Sequence, residues 1–314
     1  MSHENIILRD PATGSIAEIM PALGFNCHRL AVQRGGQPVE LLWAHPHFRS
    51  GSERPSRSGV PILFPFPGRI PGQTLAWEGR EYPLGSDDGR GNAIHGFCHI
   101  RPWRVLEVGA SRLVGQFHAW RDAPELQTCW PADFCITATY ELVGETLRMG
   151  YRIENPGPTP LPCGLGTHPY FRLPLGGGST DECLVQLPVT RRWELANMLP
   201  TGQLLEVPEA GKYAAGSRFA DLQLDDVFAG LSFAGDWCSA AIHDPGSGIH
   251  LAVRFDKAFR ECVVFTPPHR EAICIEPYTC VPGAMVLGPR GVDAGLRILA
   301  PGEAFQAQVE FVVT

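Results

Sequence analysis

Two segments, IHGFCHIRPW at residues 94–103 and GLGTHPYFRL at residues 164–173, each hold histidine beside glycine or proline and close to aromatic residues. His168 stands before Pro169, which biases it towards an extended backbone. Imidazole gives or takes a proton near neutrality, so His168 can serve as an acid or a base, although taken alone it reads first as a structural histidine. His95 and His99 are four residues apart, the spacing that puts two metal ligands on one face of a helix. Gly96 and Pro102 oppose a helix, and in a strand the two side chains would stand ~13 Å apart at ~3.3 Å per residue, too far to share an ion. No metal site is expected here.

Two further stretches carry ionisable groups among apolar residues. In GVPILFPFPGRIPG, residues 59–72, Arg69 follows a nearly uncharged run. Its guanidinium either snorkels to solvent or donates hydrogen bonds to a hydroxyl or an anion. In VVFTPPHREAICIEPYTCVPGA, residues 263–284, Glu276 closes the uncharged run 272–275 and precedes Pro277, a position expected at the end of a buried strand. A buried carboxylate costs free energy unless it is paired or functional, and burial raises its pKa towards that of a useful base. A structural salt bridge is the alternative. In LQLDDVFAGL, Asp225 and Asp226 precede an apolar stretch and read first as a loop.

The elements that must position these groups are strands. Glycine (35) and proline (29) punctuate the chain too often for long helices. Between the breaks lie runs such as SIAEIM, VELLWA, RLVGQFHAW, FCITATYEL, LRMGYRIEN, IHLAVRF and AICIEP, which alternate apolar with polar residues or are rich in β-branched and aromatic ones. Many short strands separated by turn signals predict an all-β sandwich or barrel. No linker, charge block or repeat divides the sequence, so residues 1–314 are expected to form one domain. The last run, EAFQAQVEFVV, alternates at Phe305, Ala307, Val309 and Phe311, as a closing antiparallel strand would.

At 44% hydrophobic and 19% charged residues the chain can bury a substantial core. A net charge of −7 argues against nucleic acid or anionic membrane as the main partner and favours a small neutral one. No run approaches the ~18 apolar residues of a membrane span, and MSHENIILRD lacks the pattern of a signal peptide, so a cytoplasmic location is expected. The ten cysteines show no CxxC and no compact framework, which suits reduced, mostly structural thiols.

The order of the motifs is more specific than any one of them. Arginine in a proline-rich apolar segment, then HGF, HPYF, DDVF and IEPYT followed by PGA, closely resembles the aldose 1-epimerase (galactose mutarotase-like) family from about residue 15 to the C-terminus. The resemblance implies a large antiparallel β-sandwich that binds a sugar in an open cleft across one sheet, without metal or cofactor. It implies Glu276 as general base, His168 as general acid, and His95, Arg69 and Asp225 as sugar-binding groups. Phe97, Tyr170 and Trp103 would either face the sugar or belong to the core. Two positions depart from the family pattern: Gly68 and Arg172 stand where many members have asparagine. Arg54, Arg57, Arg69 and Arg172 leave room for a phosphorylated or acidic sugar, although a free aldose is the first expectation. A glycoside hydrolase or lyase on a similar sandwich, with Asp225 as the second carboxylate of a hydrolase, and a non-catalytic carbohydrate-binding or sensory protein, are the rival readings.

Overall fold

The computed structural model describes residues 4–85 and 87–314. Two large sheets dominate it, and every strand pairing in them is antiparallel. The larger, of ten strands, runs from Arg104–Val108 through Arg112–His118, Cys135–Val143, Thr146–Glu154, Ala304–Val313, His250–Asp256 and Trp237–His243 to its short edge strands. The closing strand behaves as its alternation predicts, with Ala307, Val309, Phe311 and Val313 turned into the core. Each such apolar side chain contributes roughly 1.5–3 kcal/mol on burial, less for alanine.

The second sheet, of eight strands, orders Leu199–Glu206, Arg191–Ala196, Asp225–Ala229, Glu261–Phe265, Ala272–Tyr278, Gly166–Thr167 and Ile62–Leu63, with Tyr170–Arg172 also paired to Ala272–Tyr278. Its inner face packs on the larger sheet, for example through the edge-on contact of Phe171 with Phe311 at 4.8 Å. Its outer face is free to carry polar chemistry. A four-stranded sheet formed by residues 6–40 is tied to the larger sheet by Phe25, which packs against Tyr140 at 5.1 Å and Trp103 at 5.4 Å. The sandwich is therefore antiparallel and all-β in its main layers, with a few one-turn helices in the connections.

The structure revises several local expectations. The run VELLWA is strand only to Glu40: the Leu41 N–H still donates to the Leu30 carbonyl, but its own carbonyl and the following Leu42 and Trp43 pair with Tyr170–Arg172. Asp225 and Asp226 do not form a loop but begin the strand Asp225–Ala229. The hairpin Arg191–Ala196/Leu199–Glu206 has no apolar alternation in its sequence, since it is an edge pair with exposed charges, turned at Asn197 and Met198 with φ of 51° and 67°. Glu276 lies inside its strand rather than at the end, because Pro277 sits where it pairs with Cys262 and the ladder continues to Tyr278.

The largest revision concerns His95 and His99. Both His95 and Gly96 adopt a φ of 66°, and a one-turn helix, Cys98–Ile100, follows directly. The chain folds back, and the two rings stand 6.0 Å apart rather than at the separation of an extended strand. Gly96 is required at this bend: a methyl group there would collide with the backbone carbonyl of Phe64. Gly96→Ala is expected to destabilise the fold by at least ~1–3 kcal/mol, the usual cost of a left-handed non-glycine residue. Urea denaturation would measure it, and an unchanged midpoint would contradict this account.

Candidate active site

Strand register alone gathers much of the site. On the outer face of the eight-stranded sheet, Val227, Val263 and Glu276 form one cross-strand row, and Asp225, Phe265, Cys274 and Tyr170 form the next. Because side chains alternate with a period of two, all of these project to the same side. His168 joins them from the segment between Gly166–Thr167 and Tyr170–Arg172, where its N–H donates to the Pro61 carbonyl at 3.1 Å. Arg69, in the short strand Arg69–Ile70, and His95, whose N–H donates to the Gly68 carbonyl at 2.8 Å, close the opposite wall.

Glu276, His168, Arg69, His95 and Asp225 all line one open cleft. Every site residue expected from the sequence therefore meets in one place. Reasoning from sequence missed Phe265, Val227 and Val263 on the floor, and Met198 and Pro282 at the edge. Only the register and the turn of the edge hairpin bring these apolar residues there. Phe97 and Trp103 belong to the core, whereas Tyr170 stacks on His168 at 4.8 Å with the rings within 3° of parallel. Among the described residues, Arg69 is the single arginine in the cleft lining; Arg54 and Arg57 are exposed and Arg172 is half-buried, all outside that lining, with Arg57 near enough to act on Tyr170 and Arg90 on Asp225.

Glu276 and His168 form the centre. His168 Nε2 lies 3.3 Å from Glu276 Oε1, and the Tyr278 hydroxyl donates to Glu276 Oε2 at 2.7 Å. Glu276 is 1% exposed and His168 7% exposed, so both are nearly cut off from water. Burial raises the Glu276 carboxyl well above its ordinary range, against the opposing hydrogen bond from Tyr278. Burial likewise depresses the His168 imidazole. Low polarity thus brings the acid and the base towards each other, so that one proton is held between them over a wide pH range.

The surrounding groups are held by residues that no motif indicated. Arg69 Nε donates to Asp88 Oδ2 at 2.9 Å, and Asp88 also accepts from Asn92. The His95 ring stands edge-on to His168 at 5.5 Å, and burial depresses its imidazole too. Asp225 sits at the exposed rim; the walls around it raise its carboxyl, while Arg69 opposes that shift. Gly68, with a φ of 65°, leaves no space for a side chain, since an added methyl group would lie 2.6 Å from the Pro282 ring. The departure at residue 68 thus matches the neighbour at 282.

Ligand atoms of His168, Cys274 and Glu276 lie within 4.8 Å of one another, a spacing that a metal ion could bridge. Burial holds the Cys274 thiol well above its usual range, and metals bind the thiolate. Both Glu276 oxygens already face partners. We assign no metal to this group.

A second buried acid lies on the same face. Glu261 stands opposite Tyr278, is 2% exposed, and accepts a hydrogen bond from Trp193 Nε1 at 2.9 Å. Burial pushes its carboxyl from 4.5 up to about 7. A raised folded-state pKa means that the protonated form favours folding. The contribution is intact below pH 4.5 and lost as pH rises through about 7. Glu261→Gln, which keeps an acceptor for the indole, is expected to add roughly 3 kcal/mol of stability at pH 8 and little at pH 4. Denaturant melts at the two pH values measure this, and an equal effect at both would refute it.

Comparisons with known proteins give the family and the fold. A sequence profile described as aldose 1-epimerase matches residues 21–312. The chain belongs to the aldose 1-epimerase family. It is similar to the uncharacterized protein YphB of Escherichia coli (strain K12), at 23% identity over 91% of this chain and 95% of that one. In structure it is similar to a galactose mutarotase-like protein from Clostridium acetobutylicum, with a TM-score of 0.84, 22% identity, and coverage of 96% of this chain and 93% of that one. It is also similar to galactose 1-epimerase from Lactobacillus acidophilus NCFM, with a TM-score of 0.73, 18% identity, and coverage of 97% and 92%. At these identities the structural likenesses establish the galactose mutarotase-like fold. Among the described residues no helix is long and apolar enough to cross a membrane.

Proposed function

We propose that this protein is an aldose 1-epimerase that interconverts the α and β anomers of a free hexose. The observation that carries this reading is the contact of His168 Nε2 with Glu276 Oε1 at 3.3 Å in the cleft that Arg69, His95 and Asp225 also line. Anomer exchange needs one base at the C1 hydroxyl and one acid at the ring oxygen, two sugar atoms bonded to the same carbon. An adjacent carboxylate and imidazole match that spacing. Glu276 takes the C1 hydroxyl proton while His168 protonates the ring oxygen; the C1–O5 bond breaks and an aldehyde forms. Rotation about C1–C2 presents the other carbonyl face, and the roles reverse on closure. The proton balance closes with no redox change and no cofactor. Arg69, His95 and Asp225 hold hydroxyls and fix the ring, which supplies the orientation part of the rate.

A free sugar is favoured over a phosphorylated one because Arg69 is the single arginine in the described lining and already pairs with Asp88. The test is polarimetry, or NMR of the anomeric protons, on freshly dissolved α-glucose and α-galactose and on their 6-phosphates. Faster equilibration of the free sugars is expected. A preference for the phosphates would overturn the substrate assignment. Binding without acceleration of any of them would leave a carbohydrate-binding protein.

A further inference from the structure

We propose that Tyr278 is a positioning residue that shifts the proton of the Glu276–His168 pair from Glu276 towards His168, raising the share of molecules in which Glu276 is the carboxylate and His168 the acid. The inference rests on the mutarotase reading and extends it to a residue outside the five to which the resemblance assigns roles. Its basis is geometric. Tyr278 and Glu276 are two residues apart on one strand and project from the same face. The phenol donates to Oε2 at 2.7 Å, which leaves Oε1 turned to His168. Both side chains are about 1% exposed, so the hydrogen bond acts without competition from water. A hydroxyl donor stabilises the charged form of a carboxylate.

Other groups facing the pair set the background. Asp225 opposes the Glu276 charge and Arg69 supports it, while Cys274 and Tyr170 stand in the adjoining row. His95 stands edge-on to His168. On the next strand Glu261 stands opposite Tyr278, tied to Trp193. None of these donates a hydrogen bond to Glu276; among the described residues Tyr278 does.

The expected behaviour of Tyr278→Phe follows from a pair that holds one proton. Without its donor the carboxylate is disfavoured by about a further factor of ten, and the share of molecules with the proton on His168 falls accordingly. On the kcat/KM plateau around neutral pH, activity falls by that factor, because fewer molecules carry both base and acid. The alkaline limb, where the pair loses its proton, moves up by about one pH unit. Beyond that limb the variant and the wild type converge, since the active fraction there depends on His168 alone. A merely structural loss would instead lower the rate by one factor at every pH.

The experiment is anomer-exchange NMR across pH on wild type and Tyr278→Phe, together with an infrared titration of the protonated-carboxyl band of Glu276, identified by its absence in Glu276→Gln. A lower plateau, an upward shift of the limb and convergence at high pH are expected, with the infrared titration shifted upward in the sugar-free protein. An unmoved infrared titration, or a uniform rate loss, overturns the role of Tyr278. If the wild type accelerates no sugar, the mutarotase reading fails separately, and the infrared shift still decides whether Tyr278 controls the carboxyl.

Discussion

Glu276→Gln is expected to lower kcat for anomer exchange by roughly 10²–10⁴-fold while leaving sugar affinity nearly unchanged. Glutamine has the shape of the carboxylate and its carbonyl oxygen can still accept from Tyr278, which in the wild type donates at 2.7 Å. It cannot take a proton, so the step at the C1 hydroxyl loses its base. Arg69, His95 and Asp225 still line the cleft and hold the ring. The variant should also fold well. The Glu276 carboxyl is raised by burial, so its ionisation opposes folding as pH rises, and the neutral amide removes that opposition. Anomer-exchange NMR with calorimetric titration of the same sugar measures both properties. Retention of more than about a tenth of kcat would remove Glu276 from the role of base.

His168→Gln is expected to cause a loss of similar size, and the double variant should be little worse than either single one. The two side chains meet at 3.3 Å and act on two oxygens of one carbon, so they form a single proton-transfer unit. Once one member is absent, the other has little left to contribute. Independent contributions would multiply, giving roughly the square of the single loss, a difference of at least ~10²-fold that the measurement resolves easily. Multiplicative losses would mean that the residues act in separate steps. Glutamine at 168 also loses the stacking on Tyr170 at 4.8 Å, so circular dichroism and binding should be recorded with the rates.

The motifs made the centre of the site legible because its chemistry is carried by polar residues in unusual surroundings. Glu276 within an apolar run and His168 before a proline are anomalies that a sequence displays directly. The residues that tune them are ordinary in sequence. Asp88 lies in a polar stretch typical of a loop, and Tyr278, although it belongs to the IEPYT motif, carries no role that the sequence displays. Their roles arise from where hydrogen bonds end: Asp88 on Arg69, and Tyr278 on the second oxygen of Glu276. The separation of His95 and His99 was misjudged because the period-two rule assumes continuous extended backbone, whereas two successive left-handed residues reverse the chain.

By itself the sequence determined the class of the protein. Frequent glycine and proline with alternating apolar residues leave strands as the main way to bury its core, and five short motifs in order mark the family. Tertiary structure alone decided that Glu276 meets His168, that Arg69 is the single described arginine in the cleft lining, and that Phe265, Val227 and Val263 form the floor. The physical reason is that strand periodicity is local. Register between strands far apart in sequence is set by core packing and turns, and it is register that brings residues 168, 225 and 276 to one face.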